Sequence, residues 1–516
     1  MEPAANSSTR TNQHCWECRR RRLICDGGVP VCTKCRTAGI VCPGYADKKP
    51  LTWLAPGRVV SRNRKPKAAA TSTSLPSTTG RKKKTKDEPP AQDTSKSLYK
   101  LDLRVVPKVL DLRPKAWDII EAAAYYNSYI YPDLKAHALG SSLFIQPVQT
   151  VTQIPLSVVH TLVSVALSHR IIQVSEGDTS LELVQPMSTS LYRHRGMAMR
   201  SIQELLGNEK TRRDIPTLVS VYLFMIAVLQ QSFTPHWRVH VNGFISLLNL
   251  NGSFLTMVNE SWLLRPSLMG LLITGIFANT TTRPDRQLHL TDTTAETLNL
   301  IQEHYTESFY PPVACPPALL NEIILINQLR SCDGEPSESR SSSTDPAPQL
   351  QLQLRAAETL SRIESFDPDG WAASHETLQE TWLLIAKLHR AATALFCILS
   401  LQSCGILQRE PSGAPELELA RAKHARELFS LLEEGFSTPM VKRRMTWALV
   451  VAGVEAARAG KGVQKYIGGC LHEICRSQGL AATMVVKRVL ERFWSKGGEG
   501  GWDGCWEGDE GYAFIL

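Results

Sequence analysis

Beyond about residue 110, apolar residues recur three and four positions apart, with Pro, Gly and Asn as punctuation. The clearest such segments are 154–172, 217–231, 317–330, 381–401 and 445–458. No run alternates with period two long enough to suggest a sheet, so the pattern predicts a large all-α domain over 101–496. Residues 333–348 break the periodicity with Ser, Pro, Asp and Glu and read as a disordered insertion, a plain loop rather than a phosphorylation site. The longest apolar run, 215–229, contains Pro216, Thr217 and Ser220 and falls short of the ~18 residues of a membrane span. It reads as a buried core helix, and no membrane partner is expected.

The first hundred residues follow different rules. From 46 to 100 periodicity disappears and Lys, Arg, Pro, Ser, Thr and Ala dominate, the composition of a disordered linker. Two basic clusters lie in it: Arg62, Arg64, Lys65 and Lys67, then Arg81, Lys82, Lys83, Lys84 and Lys86. Clusters of this kind suit nuclear import or added phosphate contact, which gives the nucleus as the expected location. Residues 1–100 hold 21 Lys+Arg against 7 Asp+Glu, a net of +14, whereas the other 416 residues are net −5. A basic head on a mildly acidic body points to a polyanion as partner. Residues 1–10 are polar and precede no apolar stretch of a secretory signal, so a reducing compartment is expected.

Thirteen cysteines are present, and six crowd into 15–42: Cys15, Cys18, Cys25, Cys32, Cys35 and Cys42. Their spacing is a C-x2-C-x6-C unit used twice, offset by 17 residues. A segment of ~30 residues cannot offset its chain entropy by apolar burial alone and needs a staple. Where thiols stay reduced, thiolate–zinc bonds are that staple. Six cysteines could serve one zinc ion with two thiols spare, or two zinc ions. Two tetrahedral ions require eight thiolate positions, so two sulfurs must then be shared, and the repeat symmetry selects Cys15 and Cys32. Two zinc ions and six thiolates leave two negative charges, which neighbouring arginines offset. The seven remaining cysteines are scattered through apolar stretches and read as small core hydrophobes.

The stretch CWECRRRRLICDGGVPVCTKCRTAGIVCPGY closely resembles the fungal binuclear zinc cluster, a six-cysteine DNA-binding module with two short helices, here within 10–45. RING-type and two-Cys-two-His patterns need histidines, and His14 precedes the first cysteine with no second histidine beside it; metal-storage proteins need denser cysteines without an arginine run. The halves match in cysteines but not in charge: Arg19, Arg20, Arg21 and Arg22 follow Cys18, whereas Arg36, Thr37, Ala38 and Gly39 follow Cys35. The first half is therefore the one expected in the major groove of double-stranded DNA. In the resembling family a lysine four residues after the second cysteine reads the guanines of a CGG triplet. Arg22 holds that place here, and arginine also donates in bidentate fashion to guanine O6 and N7. Arg19, Arg20 and Arg21 are expected on phosphates or as neutralisers of the cluster. Pro30 matches the family's loop proline.

A coiled coil after the linker would fix half-site spacing, and Leu98, Leu101, Val105 and Leu112 hint at its register. Lys108 occupies the next apolar position, and Pro107 and Pro114 are expected to break the helix. No coiled coil is read, so a monomer and a homodimer through the large domain both stay open. In the body, stretches such as 116–134, 315–330, 383–399, 445–457 and 484–494 resemble the second type of fungal-specific transcription factor domain, a regulatory domain. No G-x-S-x-G, H-E-x-x-H, P-loop or G-x-G-x-x-G is present, and His389-Arg390 reads as a structural pair, so no enzyme is expected. The tail 497–516 holds five acidic and no basic residues among Trp502, Trp506, Tyr512 and Phe514. It resembles an activation segment, though packing of the tryptophans on the helices is the favoured expectation. The combined expectation is a zinc-dependent transcription regulator, an activator working through the transcription machinery or co-regulators. The alternative is a nuclear adaptor or repressor acting mainly through protein partners.

Overall fold

The computed structural model describes residues 14–28, 31–38, 42, 45, 113–139, 146–149, 151–175, 180–231, 237–305, 314–332, 347–407 and 415–506. The expected linker with both basic clusters, residues 333–346 of the expected insertion and residues 507–516 of the tail lie outside them. The chain divides into two units, 1–100 and 101–516.

The first unit holds two five-residue helices, α1 (Trp16–Arg20) and α2 (Thr33–Thr37). Helices this short have no independent stability, so what surrounds them must hold them.

The second unit is helical throughout, with no strand among the described residues. It begins with α3 (Arg113–Tyr125), continued by a π-turn at Tyr126–Ile130 into α4 (Tyr131–Ala136). Then come α5 (Leu156–Val174), α6 (Ser180–Gly207), α7 (Ile215–Gln231), α8 (Trp237–Asn249), α9 (Phe254–Glu260) and α10 (Arg265–Thr281). The middle holds α11 (Thr294–His304), α12 (Pro317–Cys332), α13 (Ala347–Ser365), α14 (Pro368–Ala373) and α15 (Gln379–Ser403). The last elements are α16 (Pro415–Phe436), α17 (Pro439–Lys442), α18 (Thr446–Ala459), α19 (Lys461–Gln478), α20 (Ala481–Ser495) and α21 (Gly501–Cys505).

Pro114 stands second in α3, and the residues through which the helix it is expected to break would run lie outside the described residues. In a first turn the missing N–H has no intrahelical partner to lose, so proline opens a helix there without cost.

Helix α15 is the axis of the body. It is apolar on nearly every face because it packs against α12, α13, α14, α16, α17, α18 and α21. By length and composition α5 and α15 could each cross a membrane. In α15 that composition serves burial among its seven neighbours. Helix α7, expected as a core helix, packs against α5, α6, α8 and α20. Local signals start other elements: Thr293 and Glu296 form a reciprocal capping box at α11, with Glu296 N–H donating to Thr293 Oγ1 at 3.2 Å.

The body continues past residue 496. Trp502 and Trp506 are fully buried, and the edge of Trp502 meets Phe396 of α15 at 4.9 Å between centroids. Buried Arg330 of α12 donates to Asn279 O (2.9 Å), Thr280 O (3.1 Å) and Thr282 O (3.0 Å), the open carbonyls at the end of α10. It also donates to Asp503 Oδ1 of α21, at 2.8 Å, and lies over the Phe396 ring.

His389 of α15 is equally buried, stacked on Trp447 with 6.0 Å between centroids and with neither ring nitrogen hydrogen-bonded. Burial pushes its pKa down to about 4. Below pH ~6.5 an unfolded histidine takes up a proton that the folded one refuses, so stability falls from there to about pH 4. His389→Phe keeps the stack and removes the titration. In urea unfolding at pH 7 and pH 5, the wild type should lose about 2 kcal/mol more than this variant. Equal losses would show that His389 is not the titrating group.

Candidate metal centre and nucleic-acid interface

Cysteines placed at the helix starts build the first unit. Cys15 caps α1, its sulfur accepting the Cys18 N–H at 3.3 Å, and Cys32 caps α2 by accepting the Cys35 N–H at 3.4 Å. The repeat in sequence is thus a repeat in structure. Each C-x2-C pair spans one helical turn and turns both sulfurs inward.

The sulfurs meet across the two halves. Cys15 Sγ lies 3.7 Å from Cys32 Sγ and 3.7 Å from Cys35 Sγ, and Cys18 Sγ lies 3.7 Å from Cys32 Sγ. The edge of a tetrahedron of sulfurs at zinc–sulfur bonding distance is about 3.8 Å. All four sulfurs fall within 4.8 Å of one another, Cys25 Sγ is as close to Cys32, and Cys42 packs against the same group. Cys15 and Cys32 lie against each other, and each also touches the second cysteine of the opposite half.

Burial raises the pKa of Cys15, Cys18 and Cys35. At Cys25 burial acts the same way but is outweighed by backbone hydrogen bonds from Cys15 and Gly27 and by Cys32 and Tyr45, which bring it to about 7. Buried thiols gathered this tightly ionise only beside a cation, and an all-sulfur tetrahedral donor set suits zinc. The residues present fit that metal.

Four side chains that sequence reasoning did not assign hold the scaffold. The Asp26 carboxylate accepts from Thr33 N–H at 3.0 Å and Thr33 Oγ1 at 2.7 Å, tying the first half to the start of α2. His14 Nδ1 accepts the Cys25 N–H at 3.0 Å. The Tyr45 hydroxyl donates to Gly28 O at 2.8 Å and lies 3.9 Å from Cys25 Sγ. Trp16 lies under the Arg19 guanidinium, 5.2 Å from ring centre to carbon. Trp16 and Arg19 are three apart on α1, a helical neighbour spacing, whereas the other three contacts span 7, 11 and 17 positions.

The four arginines are all exposed but not equivalent. Arg20 is held by Glu17 through two hydrogen bonds, Nε at 2.9 Å and Nη2 at 2.6 Å, so its charge already has a carboxylate partner. That contact holds the Glu17 carboxyl below its usual range. Arg22 has no carboxylate or ring partner among the described residues and takes a left-handed backbone, φ +57°. It sits just past α1, where Leu23 N–H donates to Cys18 O (2.9 Å) and Arg22 N–H to Arg19 O (3.4 Å). This is a Schellman ending, whose left-handed position favours glycine. An arginine there costs about 1–2 kcal/mol relative to right-handed backbone. Seventeen residues on, the matching position in the sequence is Gly39.

A cleft of about 210 Å³ opens between α10, α12 and the 287–297 segment. Threonines, amides and aliphatic side chains dominate its lining, and Asn279 closes one side by pairing with both backbone groups of Leu288 at 2.7 and 2.8 Å.

Residues 13–51 match the fungal Zn(2)-Cys(6) binuclear cluster domain, and residues 122–509 match the fungal specific transcription factor domain. The chain is similar to the phomenoic acid biosynthesis cluster-specific transcriptional regulator of Leptosphaeria maculans, 32% identical over 515 residues. That alignment covers 98% of this chain and 89% of the relative. A shorter likeness, 44% over 43 residues and 8% of each chain, joins it to the pestheic acid cluster transcriptional regulator 3 of Pestalotiopsis fici. No solved structure gives a significant match.

Proposed function

The chain belongs to the family of fungal transcription factors that join a Zn(2)-Cys(6) cluster to a fungal specific transcription factor domain, and from that premise we propose a pathway-specific activator of a biosynthetic gene cluster. It is a zinc-binding transcription regulator and not an enzyme. Our reading adds two zinc ions per chain, one on Cys15, Cys18, Cys25 and Cys32, the other on Cys15, Cys32, Cys35 and Cys42. It also places the protein in the nucleus, imported through Arg62–Lys67 and Arg81–Lys86, and acting on polymerase II genes through co-regulators. The name of the Leptosphaeria relative supports the cluster-specific part.

The observation that carries the DNA reading is the backbone of Arg22. A left-handed arginine persists only where its surroundings over-determine it, and such strain gathers at functional sites. Its use here is to aim an unpaired guanidinium away from the end of α1, where it can donate to guanine O6 and N7 of a CGG triplet in the major groove. Arg19 and Arg21 contact phosphates. Arg20, engaged by Glu17, contributes least.

Glycine is the informative replacement. Arg22→Gly removes the side chain and relieves the left-handed backbone, so the module should be at least as stable and keep its zinc. Preference for CGG over scrambled duplex should fall by about 5- to 100-fold, the worth of one bidentate contact. Zinc content and fluorescence-anisotropy titrations of the full-length chain check this. Unchanged preference in Arg22→Gly would overturn the assignment of base reading to Arg22.

A further inference from the structure

We propose that Ile24 is a specificity-determining residue that seats on the C5-methyl group of a thymine close to the guanine read by Arg22. The inference rests on the reading of Arg22 as the base contact.

Ile24 is 84% exposed, more than any other large apolar side chain among the described residues, against 38% for Leu23. Cys25, next in line, turns its sulfur into the metal centre. An aliphatic side chain standing alone on a surface is ordinary. Ile24 differs in where it stands and how it is held. It lies two residues beyond Arg22, in a segment that also carries the exposed cationic side chains of Arg19, Arg21 and Arg22 and the less exposed Leu23.

The backbone on both sides of it is fixed. Leu23 N–H is committed to Cys18 O at 2.9 Å and Cys25 N–H to His14 Nδ1 at 3.0 Å. The side chain is therefore presented on a rigid support, and ordering it against DNA costs little backbone entropy. It cannot pair with a phosphate, since it offers neither charge nor hydrogen bond. The one apolar feature of the major groove is the thymine methyl. Two extended residues span about 7 Å, and base pairs stack every ~3.4 Å. Ile24 therefore reaches a base pair within about two steps of the guanine that Arg22 contacts.

The test uses zinc-loaded full-length protein and CGG duplexes carrying thymines at the two positions on either side of the triplet. Each thymine is replaced singly by deoxyuridine, which deletes the methyl group and leaves base pairing intact. At one position the wild type should weaken about fourfold, the worth of one buried methyl. Ile24→Ala should be indifferent to that replacement and still prefer CGG over scrambled duplex. If no deoxyuridine replacement matters while the wild type prefers CGG, the Ile24 assignment fails and that of Arg22 survives. An equal loss in wild type and Ile24→Ala also overturns it, because the methyl then acts through DNA shape. If the wild type does not distinguish CGG from scrambled duplex, the Arg22 reading itself fails and takes this inference with it.

Discussion

Cys15→Ser is expected to release both zinc ions from the cysteine module, whereas Cys42→Ser releases one. The difference follows from which sulfurs cross the repeat. Cys15 lies 3.7 Å from both Cys32 and Cys35, so its sulfur stands within reach of a metal in either half. Cys42 packs against the group from the second half. Two helices of five residues have no other source of stability, and in such modules metal binding is folding free energy, about 10 kcal/mol or more per ion. Loss of the shared sulfur should unfold the module, and CGG binding should drop at least a thousandfold, to the level of the basic linker alone. Cys42→Ser should keep about one zinc per chain and a weakened preference, since α1 belongs to the other half. The helical circular dichroism of both variants should match the wild type, because residues 101–516 form a separate unit. Zinc released per chain, read by mass spectrometry or a chromophoric chelator, decides the matter. Loss of one ion from each variant would mean that Cys15 is not shared.

The same reasoning shows what could be read before any fold was known. Cysteine spacing carries the whole metal centre, because a C-x2-C pair is one helical turn and an exact repeat makes two equivalent halves. Helical periodicity placed α5, α7, α12, α15 and α18 within about two residues, since a buried stripe must recur every 3.6 residues. Other contacts leave no such trace. Tyr45 to Gly28, His14 to Cys25 and Arg330 to Asp503 join positions 17, 11 and 173 residues apart, and no spacing rule announces them. The pairing of Arg20 with Glu17 is local, yet in sequence it hides inside a run of four identical arginines. The left-handed turn at Arg22 is concealed for the opposite reason. The residue usual at that place is glycine, and only the second half, at Gly39, has it.

The larger effect on the body is expected from its C-terminal end. Deleting 497–516 should unfold much of the helical domain, whereas deleting 507–516 should leave it folded. Trp502 and Trp506 are fully buried, and removal of one such tryptophan costs about 3–5 kcal/mol. The longer deletion also strips Asp503 from the Arg330 guanidinium, and breaking a buried pair costs about 3–5 kcal/mol. Trp502 Nε1, which donates to Thr280 O at 2.7 Å, goes too. Together these approach the 5–15 kcal/mol that holds a typical domain together. A reporter silenced by the longer deletion would therefore report unfolding and not loss of an activating segment. Asp503→Asn isolates the ionic part: the amide can still accept from Arg330, but the charge is unpaired, so urea unfolding should show a smaller loss than Asp503→Ala. Limited proteolysis of the two deletions gives the complementary test. If the chain ending at 496 resists protease as the full-length protein does, α21 is an appendage and the acidic, aromatic tail regains its claim to activation.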